Sequence, residues 1–335
     1  MKKTGFSFVG LALIGLFFIG CTSNTAPSDT AVQELKGLVQ AEDSLFTVNA
    51  FTDGDTEHVY LNHNRRMDHA GPFLPWFIRR QVTSANRNID IELVTSDSAL
   101  ITVTHQIAGT LYVGVNMDTT NRTIVDTVWR KPFDVTAVHK AIAVQRTRQG
   151  TGDYPPPMGG RHHGWRIVSM TPTLGTAAGS DLDLQSVEVR NVTTGESITI
   201  DDPLNTFINW GTLPELAYGD SVEVYATVMN ADGSGTTVIS RLNMGPFARM
   251  RFLRLNDAGI SPDQTADDNI FSAGWNIRLI MGMRPAMFDV IDNDLLTNPD
   301  ASYNAIFLHM PMLVRFQHHQ GGMGGRMNGG TGGGR

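Results

Sequence analysis

Between Ile89 and Arg146 the chain reads IDIELVT, ALITVTHQI, TLYVGVN, TIVDTVW and FDVTAVHKAIAVQR, segments that alternate apolar with polar residues or are rich in β-branched ones. A period of two puts every second side chain on one face, which suits a half-buried strand and not a helix. Turn signals separate the segments, so the sequence predicts a meander of short strands. The same texture continues from Thr171. LQSVEVRN and ESITIDD flank a turn at Thr193-Thr194-Gly195. In DSVEVYATVMNADGSGTTVISRL, Val222, Val224, Ala226 and Val228 share one face while Glu223, Tyr225 and Thr227 share the other. Asp232-Gly233 then turns the chain back into Thr237 to Leu242. ARMRFLRL, WNIRLIM and AIFLHMPMLVRF follow. One helix precedes all of this, over AVQELKGLVQAEDSLFTV, with Val32, Leu35, Leu38, Val39 and Leu45 at helical spacing and Ser28 or Asp29 able to cap it. Residues 51–80 read as irregular, broken by Gly54, Gly71, Pro72 and Pro75. The predicted fold is mainly β: an α+β domain over residues 31–172, then an antiparallel β-sandwich over residues 173–316.

Both ends fall outside that fold. Lys2 and Lys3 precede an apolar run from Phe6 to Ile19, too short for a membrane span of roughly 20 residues and suited to a signal-peptide core. The run stops at Gly20-Cys21, and Cys21 is the only cysteine of the chain. No disulfide is available, so apolar burial must hold the fold. Removing residues 1–20 as a signal peptide takes away two lysines and no acid, leaving 24 basic against 33 acidic residues and a formal charge of −9. That balance argues against nucleic acid or anionic lipid as a partner. Residues 21–30 form a polar tether, and residues 317–335 form a tail rich in Gly, Met and His that has too little apolar surface for a core.

Three resemblances sharpen this reading. Phe18-Ile19-Gly20-Cys21, followed by Thr22 to Pro27, resembles the lipobox of bacterial lipoproteins, with Phe18 where Leu is usual. The resemblance implies lipidation of Cys21, cleavage before it, and anchoring in the outer membrane, on its periplasmic face or at the cell surface. A helix, a long meander and then GWRIVSM resembles an NTF2-like domain. The C-terminal strands resemble immunoglobulin-like modules of bacterial surface proteins. There LNDAGISPDQTADDNIFSAGW supplies the motif residues Asp257, Gly259, Asp263, Ala266, Asp268, Phe271 and Ser272, with Asn269 in place of a usual glycine.

Few positions offer chemistry. Asp257, Asp263, Asp267 and Asp268 bring the hard oxygen ligands that calcium takes, although the EF-hand spacing is absent; side-chain turns are the plainer account. His162 and His163, with His318, His319, Met323 and Met327, combine imidazole with thioether, a set that suits copper. His105 and His139 fall on the apolar faces of their strands, where an NTF2-like cone would have its ligand pocket. Arg65-Arg66 and Arg79-Arg80 flank the apolar stretch Pro72 to Ile78 and would hold an anion or form a solvated face. There is no Gly-x-Ser-x-Gly elbow, Walker loop, Gly-x-Gly-x-x-Gly or zinc-protease helix. The sequence therefore points to a lipid-anchored envelope protein with a binding, adhesion or scaffold role and a protein or glycan partner. A small-molecule or metal-binding lipoprotein (calcium or copper) is the alternative, and a hydrolase with a scattered triad is the third choice.

Overall fold

A computed structural model describes residues 29–46, 48, 59–60, 74–116, 125–145, 164–209, 215–217, 219–242, 251–277 and 282–315. Helices α1 (Asp29–Ala41) and α2 (Asp43–Phe46) come first, where one helix was predicted. After β1 (Val59–Tyr60) come three long strands, β2 (Leu74–Leu93), β3 (Ser98–Asn116) and β4 (Thr127–Gln145). The short strands β5 (Trp165–Met170), β6 (Thr173–Ala177), β7 (Leu182–Asn191), β8 (Ser197–Ile200), β9 (Ile208–Asn209) and β10 (Glu215–Ala217) follow. The chain then forms β11 (Ser221–Asn230), β12 (Thr236–Leu242), β13 (Arg251–Leu255), β14 (Ile270–Asn276), β15 (Gly282–Asp292), α3 (Asn293–Thr297) and β16 (Ala305–Arg315). The fold is mainly β, as the alternation predicts. No helix among the described residues is long and apolar enough to cross a membrane.

A 12-stranded sheet runs β1-β2-β3-β4-β6-β16-β15-β12-β13, with β5, β9 and β10 attached beside it. Four strands, β14-β11-β7-β8, form a second sheet. The ladder crosses the expected division at residue 172 without a gap. Val135 to Val138 of β4 pair with Leu174 to Ala177 of β6, and Thr173 to Thr176 pair in turn with β16.

The merger of predicted strands has identifiable causes. ALITVTHQI and TLYVGVN are one strand, because Gly109 is not a turn residue. A Cβ there would lie 2.7 Å from the Phe133 ring and 2.1 Å from the Gln81 carbonyl oxygen. Glycine in a strand marks such a close approach. TIVDTVW likewise continues through Pro132, which sits where β4 pairs only with β3, since β6 takes Val135–Val138 and β5 takes Ala141–Gln145. No ladder bond is lost to the missing N–H there.

Both faces of the large sheet are covered in part. On one face Val238, Phe288, Val290, Ile306 and Leu308 pack against Val187, Val189, Val222 and Val224 of the second sheet. On the other, the odd-numbered residues of β3 and β4 point inward. Ala99, Ile101, Val103 and Ala141 receive Leu35, Leu38 and Val39 of α1. Further along the same face, Ile107, Leu111, Val113 and Phe133 pack with Leu295 and Leu296 of α3 and Phe307 of β16.

Candidate functional site

The inward face carries three histidines near the junction of those two clusters. Val103 pairs with His139, and His105 pairs with Ala137, so the two histidines are diagonal neighbours on adjacent strands. Their ring centroids are 5.9 Å apart. His139 is fully buried and its Nδ1 lies 2.9 Å from Thr173 Oγ1. Thr173 opposes His309 of β16, which places the third imidazole two strands from His139 on the same face. The Phe46 ring covers His139 at 5.2 Å. His105, 9 % exposed, bonds the backbone of Phe46. Its Nε2 has no partner, so that bond runs through Nδ1, which leaves Nε2 with a bare lone pair in the neutral ring. Arg87 lies opposite His105 and forms an ion pair with Asp43 of α2, fixing α2 over the pair.

Burial dominates the electrostatics. It pushes His139 down to about 3, and the neighbouring His105, His309 and Arg87 push in the same direction. His105 is lowered too, first by burial and then by Arg87, against the opposing pull of its Phe46 bond and of Asp43. Both rings are therefore neutral at pH 7. A group with so low a pKa is a poor general acid or base there, whereas a neutral imidazole is a competent ligand.

The predicted acidic loop gathers three of its four carboxylates. Asp257, Asp263 and Asp268 place ligand atoms within 4.8 Å of one another, and Asp267 does not join them. Backbone N–H groups already occupy the three. Asp257 accepts from Asp268 and Asn269, Asp263 from Gly259 and Thr265, and Asp268 from Ile270. Asp267 and Asn269 adopt positive φ (59° and 65°), so these bonds hold two residues in a conformation that non-glycine residues rarely take. The pattern is that of a turn fastened by its side chains. Burial raises the pKa of Asp257.

Arg79 and Arg80 part company. Arg79 faces outward, 5.9 Å from the Tyr112 ring, with Arg130 at 5.7 Å from the same ring. Arg80 is no solvated or anion-binding residue. It turns inward to bond Asp289 at 3.0 Å and Tyr303 at 3.2 Å. The period-two alternation of β2 could have signalled that split; Asp289 and Tyr303, more than 200 residues away, could not be found that way. Cys21, Arg65, Arg66, His162, His163, His318, His319, Met323 and Met327 lie outside the described residues.

The chain matches no protein-family model, no curated protein and no solved structure. The site must be read from its own chemistry. His105 and His139 lie on adjacent strands, with the Phe46 ring over His139. His309 and Thr173 escaped sequence reading, because nothing local joins β6 and β16 to β4.

Proposed function

We propose that the chain is a lipid-anchored protein of the bacterial envelope, held in the outer membrane through Cys21, with a binding or scaffold role toward a protein or glycan. The observation that carries this reading is the placement of the chain's only cysteine one glycine after the apolar run Phe6 to Ile19. Attachment of several acyl chains, at about 0.8 kcal/mol per buried CH₂, makes such an anchor effectively permanent. Support for a non-catalytic role comes from the low pKa and enclosure of His139 and from the absence of a sequence signature for hydrolysis. Within this reading, α1 with β2, β3 and β4 is an NTF2-like element, and the two sheets packed around Val224 and Phe288 are an immunoglobulin-like sandwich.

Metabolic labelling with a palmitate analogue tests the anchor. Label is expected on the wild-type chain and absent from Cys21→Ser; label retained in the variant defeats the proposal. Cross-linking in intact cells followed by affinity capture tests the role. A defined envelope partner recovered with wild type, and lost when Cys21→Ser releases the chain from the membrane, is the expected result.

A further inference from the structure

Buried polar atoms without partners are rare, and each calls for a cause such as a bound water or ion. The inward face has several such atoms, and two of them are imidazole nitrogens on neighbouring strands, Nε2 of His105 and Nε2 of His139. Each ring is held through its other nitrogen, by the Phe46 backbone in one case and by Thr173 Oγ1 in the other. Fixing Nδ1 and leaving Nε2 for a metal is how ligating imidazoles are commonly oriented.

The spacing restricts the ion. With metal–nitrogen bonds of about 2 Å, two imidazoles on a tetrahedral ion have centroids about 5 Å apart, and on a linear two-coordinate ion about 6 Å. The observed separation is 5.9 Å. Among the described residues, three His, Cys, Asp or Glu ligand atoms within 4.8 Å of one another occur only in the acidic loop, so the pair has no third ligand of those types at that distance. Charge restricts it further. Arg87 stands opposite His105, and the nearby carboxylate of Asp43 is engaged by that arginine. A dication would sit beside a guanidinium with no carboxylate of its own, whereas a monocation meets half that repulsion. Apolar surroundings from Phe46, Val103 and Ala141 exclude water and favour a soft, weakly hydrated ion.

We propose that Nε2 of His105 and Nε2 of His139 bind one Cu(I) ion in two-coordinate, near-linear geometry beneath Phe46. The rings are neutral at pH 7 and need lose no proton to bind.

The mature chain with Cys21→Ser, and with His318→Ala, His319→Ala, Met323→Leu and Met327→Leu to silence the tail, is titrated anaerobically with Cu(I) against a competing chelator. One equivalent is expected to bind, with the X-ray absorption edge of a two-coordinate bis-imidazole site. His105→Gln and His139→Gln should each weaken it at least about 100-fold. No binding, or binding unchanged in both variants, overturns the proposal. A fully buried residue such as His139 invites misfolding when replaced, so nitrogen NMR of the unmutated pair provides a second measurement. Cu(I), or Ag(I) as a redox-inert substitute, should shift both Nε2 resonances; shifts of neither overturn the site.

Discussion

Gly175 marks the tightest contact of the inward face. A Cβ built there would lie 1.9 Å from Phe307 Cε1, and Gly114 and Gly109 stand in the same relation to Phe77 and Phe133. Three times, an aromatic ring lies over a glycine of the neighbouring strand. Gly175→Ala is expected to destabilise by about 3 kcal/mol, the upper range for overpacking, and Phe307→Leu in the double variant should recover part of that. Urea unfolding measures both. His139 gives the second residue-scale expectation. Its folded-state pKa of about 3 lies below the unfolded value near 6.5, so below pH 6.5 the unfolded chain takes up a proton that the folded chain refuses. Stability contributed by neutral His139 is full above that pH and is lost as pH falls toward 3, on the order of 5 kcal/mol in all. Metal-free wild type should therefore lose stability from pH 7 to pH 4 more steeply than His139→Gln. Equal slopes would show that other groups carry the dependence. The inward placement of His139 was legible from Val135, Ala137 and His139 at period two. The break between ALITVTHQI and TLYVGVN falls inside β3, because glycine signals a turn and a covered strand position with the same letter.

Among the elements, the five-residue helix α3 depends on its surroundings. Asp292 caps it, accepting from Asp294 N at 2.9 Å, while also accepting from Ser234 Oγ and Asn304 Nδ2. At its other end Lys131 Nζ donates to the carbonyl oxygens of Asn298, Pro299 and Ala301 at 2.6, 3.2 and 2.8 Å. Lys131 is buried, and burial lowers its pKa against the pull of Asp300 and Asp294. Lys131→Met would remove the donor from three carbonyl groups, and an unsatisfied buried group costs about 1–3 kcal/mol. The expected signature is faster amide hydrogen exchange at Asn298 and Ala301, which β11 does not share. Strand β11 and its turn at Gly233 were legible because alternation and a positive-φ glycine (73°) coincide. The middle of β2 was not. Thr83 to Asn88 are exposed on both faces, beyond the short pairing of β1 with Phe77 and Ile78, so no burial pattern marks them, and their backbone pairing with β3 leaves no trace in side-chain type.

At the scale of the molecule, the change of texture near residue 172 suggested two domains, whereas hydrogen bonding joins residues 135–138, 174–177 and 306–309 into one ladder. Such long-range pairings cannot be read from one sequence, because each strand shows only which face it buries and not which strand lies beside it. A fragment ending at residue 172 would leave the flank of β4 at Val135–Val138 unpaired. It is expected to remain unfolded by circular dichroism, while the whole chain melts in one transition with matching calorimetric and van't Hoff enthalpies. A folded fragment, or two transitions, would restore the two-domain description. The length of β3 has a mechanical consequence. Helix α1 attaches beside Ala99 and Ile101, and Asn116 lies about 50 Å further along the strand at roughly 3.3 Å per residue. Under the proposed Cys21 anchor, which lies just before α1 in the chain, the strand end near Tyr112 and Arg130 would stand well clear of the surface that holds the base of β3.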